Sequence, residues 1–306
     1  MIAGTGGGRS PASRGKSAAF LMALPFYLFA FIFILGPLVY MLVLSFLRRE
    51  GIGGVSLNFT LRNYSRIGIP EYAATFKESL ILALYSTVLV ILAGYPFGYF
   101  MARLGKVWRS RVMLLLIIPF WTNSLMRLYG WIIVFRANGV LDTFLGALGL
   151  IKEPLHMLYT YPAVVTGMVY ALLPFMVYSV YASAEKMDWG LVEAARLMGA
   201  SPVTAFLTVT LPLTMPGLWA GVILTFIPSM GLFFIADILG GNKVVLVGNL
   251  IQEQLMKAHD LPFAAALSVA LILLSTLFMG LYSRISSFGS GRKEGMAAGL
   301  SRGGLL

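Results

Sequence analysis

The 306-residue sequence contains no cysteine, two histidines, and few charges, with Asp, Glu, Lys and Arg making up only 11% of it. Without cysteine, disulfides and thiolate metal sites are excluded. His156 and His259 are far apart and outside any HExxH spacing, which argues against a zinc centre. No constellation of a nucleophile and its base is visible, so an enzyme embedded in the membrane is disfavoured. A soluble domain carries roughly 25% charged residues, whereas this chain is 58% hydrophobic with a mean hydropathy of +0.85. It therefore reads as an integral membrane protein. The formal net charge of +11 is assigned to loop orientation in a bilayer rather than to a nucleic-acid partner.

The N-terminus, "GTGGGRSPASRGKS", ends in Gly15-Lys16-Ser17, like a phosphate-binding loop, but Ser10 stands where that motif needs glycine. No strand precedes it, so residues 1–17 read as a flexible, basic, cytoplasmic tail. The apolar run that follows is too long for a cleavable secretory signal. The chain has no visible nucleotide site of its own.

A helix crosses a bilayer in about 20 apolar residues. Six stretches qualify: 18–47, with Gly36-Pro37 as a kink, then 79–102, 112–135, 157–184, 217–239 and 262–283. Arg127 is the charge in the third and Asp237 the charge in the fifth. With both termini inside, cytoplasmic segments 1–17, 103–111, 185–216 and 284–306 hold 13 basic and four acidic residues, against nine basic residues in the outer loops. The short loop "RLGKVWRSR" carries most of that bias. The predicted fold is an all-α, six-span, N-in/C-in domain over 18–284, followed by a flexible cytoplasmic tail over 285–306.

The loop over 185–216 is longer than the few residues that join antiparallel spans. Helical periodicity places Met187, Leu191, Ala194, Ala195 and Met198 on one face. Asp188 is a candidate N-cap, and Gly199 falls where a left-handed residue ends a helix. Ser201-Pro202 reads as the start of a second short helix, which Leu211-Pro212 and Met215-Pro216 are expected to end. The product is a helix-turn-helix between spans four and five.

This loop, "EAARLMGASPVTAFLTVTLPLTMPG" (193–217), resembles the EAA loop of ABC-importer permease subunits. Glu193, Ala194, Ala195, Gly199, Leu211 and Pro212 fit that pattern. The resemblance implies that the loop docks on an ATPase and transmits its closure to the spans, with Gly199 permitting the bend and Glu193 and Arg196 offering charged contacts. It further implies two separate ATPase subunits that bind ATP and Mg, so this chain binds no cofactor and is not itself an enzyme. Three more stretches, "IPFWTNSLMRLYGW", "YALLPFMVYSVYASAEKMD" and "GLFFIADILGGNKVVLVGNLIQEQ", are similar to the first permease subunit of spermidine/putrescine importers. That likeness implies a second homologous permease, an extracytoplasmic binding protein and a bacterial inner membrane as surroundings.

A polyamine should be met by carboxylates at its ammoniums and by aromatic faces along its methylenes. Asp237 is the intramembrane acid available, and such residues are functional candidates by default. Trp121, Tyr129, Tyr178 and Phe234 are the aromatic candidates, and Arg127 is either a partner of Asp237, a ligand for another carboxylate or a gate. Glu253 and Asp260 in the last outer loop are candidate contacts for a partner. The alternatives are another solute for the same machinery (an opine-type compound, ferric ion or oxyanion) or a gradient-driven secondary transporter.

Overall fold

The computed structural model describes residues 24–302 other than 52 and 242, with side chains described as far as residue 281. The basic tail expected over 1–17 lies outside the described residues. In chain order, helix α1 (Leu24–Ser45) leads into a hairpin of β1 (Leu47–Glu50) and β2 (Gly54–Phe59), then α2 (Arg62–Ile67). Helix α3 (Pro70–Arg103) is followed by α4 (Lys106–Trp121), α5 (Ser124–Phe135) and α6 (Val140–Ala147). Next come α7 (Tyr161–Ala184), α8 (Gly190–Leu197) and α9 (Pro202–Gly231). A short α10 (Phe233–Ile235, continued by a π turn at Ala236–Gly240), α11 (Val247–Met256) and α12 (Leu261–Arg302) complete the chain.

Among the described residues, five helices (α1, α3, α7, α9 and α12) are long and apolar enough to span a membrane. A sixth span is available if the pair Lys106–Trp121 and Ser124–Ala147, bent by 97°, counts as one. The straight third span expected over 112–135 is thus broken. Pro119 tightens the end of α4 into a 3₁₀ turn, and the Asn123 side chain accepts the Leu125 N–H (2.9 Å), starting a new helix in a new direction. The fifth span ends earlier than expected. α9 ends at Gly231, and Leu232 leaves helical geometry (φ −78°, ψ 53°), so Asp237 belongs to the separate α10 segment. The β-hairpin departs from the all-α expectation. Gly51 and Gly53 supply the positive φ angles of its turn, and Asn63 Nδ2 donates to the carbonyls of Ser45 (2.9 Å) and Leu47 (2.8 Å) to anchor it. Helix α12 runs to Arg302, past the point where the tail was expected to begin, with no proline after Pro262 to stop it.

Pro212, expected to end a helix, and Pro37, expected to kink one, are both absorbed within helices. Pro212 follows a π turn at Phe206–Thr210, and Pro37 follows one at Phe31–Leu35. A proline ring clashes with the carbonyl four residues earlier, and the wider turn moves that carbonyl aside. The chain therefore stays helical from Pro202 to Gly231 rather than turning at Leu211-Pro212.

The centre of the molecule is the three-way packing of α3, α7 and α9. Lipid tails are as apolar as leucine, so such helices associate by close fit and interhelical hydrogen bonds. At Gly98, a Cβ would lie 2.7 Å from the Val177 carbonyl, and at Gly217 it would collide with Ser179 and Ser183 of α7. Tyr95 and Thr214 hydroxyls meet at 2.7 Å across α3 and α9. Leu82, Val90, Met168, Leu172 and Met176 fill the space between.

Candidate functional site

Two regions carry the candidate residues, and they lie at opposite ends of α7. At its C-terminal end, the Asp188 side chain accepts the Gly190 N–H (2.9 Å) where α8 begins. Helix α8 ends in a Schellman motif: Ala200 N–H bonds the Ala195 carbonyl and Gly199 N–H the Arg196 carbonyl, both at 3.0 Å. Gly199 has φ +91°, a conformation that a side chain disfavours. Ser201 Oγ then accepts the Thr204 N–H (3.1 Å), and Pro202 opens α9. The buried face is Met187, Val192 and Ala195, packed on Ala205, Val209 and Leu213. Met187 and Ala195 of the expected face are thus buried, whereas Leu191, Ala194 and Met198 are not. The helix starts only at Gly190, which turns Leu191 and Ala194 outward, and Met198 sits in the cap. Leu197 (89% exposed), Met198 (83%) and Val203 thus form an apolar tip, with Glu193 and Arg196 exposed beside it. Leu211 and Pro212 lie within α9, away from this tip.

Near the N-terminal end of α7 opens a cleft of about 920 Å³, lined by Tyr129, Tyr159, Asp237, Lys243, Asn249 and Glu253 among others. Asp237 lies in the π turn, exposed to this cleft. Asn249 holds it from α11: Nδ2 donates to Asp237 Oδ1 (3.0 Å) and the Phe233 carbonyl (3.2 Å), while Oδ1 accepts the Leu246 N–H (2.9 Å). The amide is thereby oriented with donors toward the carboxylate. On the other side, Tyr159 N–H bonds the Leu239 carbonyl (2.9 Å), and its ring covers Gly241, where a Cβ would lie 2.5 Å from it. Among the described residues, neither Arg127 nor Lys243 forms an ion pair with Asp237, whereas Glu253 approaches Lys257 at 3.7 Å.

Arg127 faces a second, smaller chamber of about 280 Å³, shared with Phe120, Tyr170, Phe175 and Phe234. Its guanidinium lies 4.6 Å from the Phe120 ring centroid and 5.8 Å from that of Tyr170.

Of the residues singled out from sequence, Asp237 and Tyr129 share the cleft, while Arg127 and Phe234 share the chamber. Trp121 lines neither; it is 80% exposed at the break between α4 and α5. Tyr178 donates to the Met113 carbonyl (3.0 Å) and ties α7 to α4. Asp260 is buried, caps α12 through the Phe263 N–H (3.1 Å) and pairs with Arg66 (2.8 Å), so it is a structural anchor rather than an outward contact. Asn249 and Tyr159 escaped sequence reading. Asn249 had one local signal, an amide in the first turn of a helix, but its contact with Asp237 is tertiary. Tyr159, with φ +63°, had none. Among the described residues no three His, Asp or Glu side chains converge as a metal site.

Residues 94–287 match the profile of a family described as the binding-protein-dependent transport system inner membrane component. The chain is 43% identical over 255 residues to the spermidine/putrescine transport system permease protein PotB of Escherichia coli (strain K12), covering 83% of this chain and 93% of that protein. It is 40% identical over 252 residues to the protein of the same name from Haemophilus influenzae, covering 82% and 88%. Among solved structures, it superposes on a chain of a bacterial alginate ABC transporter in complex with a pentasaccharide-bound periplasmic protein with a TM-score of 0.67. That alignment covers 89% of this chain and 95% of the other at 14% identity, a likeness of fold.

Proposed function

The chain belongs to the family of inner-membrane components of binding-protein-dependent transport systems, and from that premise we propose that it passes spermidine or putrescine across the bacterial inner membrane. It is a transport subunit rather than an enzyme, and hydrolysis of ATP with Mg takes place on separate subunits. In this reading the spans number six, both termini are cytoplasmic, and the broken pair α4–α5 counts as the third span. A binding protein delivers the cargo from outside, a second homologous permease closes the open side of the cleft, and two ATPases dock on the cytoplasmic face.

The apolar tip of Leu197, Met198 and Val203 suits insertion into a groove on an ATPase, with Glu193 and Arg196 as flanking charges. Because α9 continues unbroken from Pro202 into the bilayer, a push on that tip is carried directly into a span.

The observation that carries the cargo assignment is Asp237. It is a carboxylate without an ion pair among the described residues, turned into a cleft of about 920 Å³ and held by an amide that leaves its second oxygen available. Tyr129 offers an aromatic face beside it. A charge-assisted bond to an ammonium is worth roughly twice a neutral one, and one carboxylate serves one ammonium, so the others must come from the second permease. Lys243 and Lys257 on the same wall favour an anionic solute as the second reading. Transport by the complex reconstituted with its ATPase, partner permease and binding protein separates the two. ATP-driven uptake of spermidine or putrescine, without an oxyanion control, is expected; uptake of the oxyanion alone overturns the assignment.

A further inference from the structure

We infer that Arg127 is an electrostatic barrier that keeps cations out of the deeper path between transport cycles. Helices α5 and α10 line both spaces: Tyr129, Ile132, Asp237 and Ile238 face the cleft, and Ser124, Arg127, Phe234 and Ile235 face the chamber. The chamber therefore lies closer to the two helix breaks, at 122–123 and at Leu232, than the cleft does. Cargo that leaves Asp237 for the breaks meets Arg127 next.

Three observations distinguish this arginine from a structural one. Among the described residues no carboxylate lies within 4 Å of it. Its Nε and Nη1 are buried without a hydrogen-bond partner, although a structural guanidinium normally uses its donors. It also stands at the end of the first turn of α5, at the positive pole of that helix, where a cation is disfavoured. The faces of Phe120 and Tyr170 hold the charge in place without neutralising it. An uncompensated charge in such a chamber repels an approaching ammonium far more strongly than it would in water, while uncharged solutes do not feel it.

This inference uses the cationic cargo proposed above, but its test does not depend on it. The complex is placed in vesicles loaded with spermidine, an uncharged oligoether of similar length and an oxyanion, and efflux is followed without ATP. Arg127→Met and Arg127→Gln are expected to raise spermidine leak by about tenfold or more with oligoether leak unchanged, and Arg127→Lys to stay tight. Ser124→Asp, which adds a carboxylate to the chamber with Arg127 in place, is expected to leak in the same way and serves where the arginine variants fail to assemble. Tight vesicles for all neutralised variants, or equal leak of the oligoether, overturn the barrier. Absence of ATP-driven spermidine uptake by the unaltered complex alongside a cation-selective leak in Arg127→Met would remove the cargo assignment and leave the barrier standing.

Discussion

The turn at Gly199 and the break at Leu232 both interrupt a helix beside a candidate site, but different forces hold them. At Gly199 every partner is local: two backbone bonds reach back to Ala195 and Arg196, and Ser201 caps the helix that follows. At Leu232 the partners come from a distance. Asn249 holds the Phe233 carbonyl and Asp237 from α11, and Tyr159 holds the Leu239 carbonyl from the start of α7. A locally closed turn moves as a unit and suits a part that is gripped from outside. A break clamped by other elements moves only when those elements move, which suits a site that must change with the state of the whole transporter.

Three substitutions sharpen this contrast. The largest effect is expected from Gly199→Leu. No atom lies within 4 Å of the added Cβ, so the penalty is conformational, about 1–2 kcal/mol for a left-handed residue. The protein should still insert, but substrate-stimulated ATPase activity of the reconstituted complex should be abolished; full stimulation would show that the shape of the turn is not used. Asp237→Asn comes next, because it keeps an acceptor for Asn249 while removing the charge. Polyamine uptake should fall roughly tenfold or more with co-purification of the complex unchanged, the size of a lost charge-assisted hydrogen bond. Equal transport would move the cargo site elsewhere. Ser201→Ala should be mildest, destabilising the start of α9 by about 1 kcal/mol, read as faster amide exchange at Thr204. If exchange at Leu246 rises as well, the two interruptions are mechanically linked rather than independent.

The same contrast explains what could be read beforehand. Gly199, Ser201 and Pro202 were legible because caps depend on a few neighbouring residues, and Asp188 does bond the first turn of α8, although the N-cap itself is Trp189. The outward turn of Leu191 and Met198 was not, since an eight-residue helix shows its face only once its first residue is known. Proline gave a misleading signal at 212, where a π turn absorbs the ring, and an incomplete one at 119, where the break also needed Asn123. Asp237 stood out as a rare intramembrane acid, yet its separation from Arg127 into another chamber had no sequence signature.

Composition and hydropathy alone determined that this chain lives in a bilayer, because so few charges cannot solvate a soluble surface. Local patterns determined where the loop between α7 and α9 turns. Only the tertiary structure decided that the apolar stretches over 112–135 and 217–239 are interrupted, which aromatic residues face a cavity, and that Asp237 and Arg127 do not pair. Those outcomes depend on which side chains from distant segments satisfy each exposed backbone group, and such partners are chosen by packing, not by sequence distance.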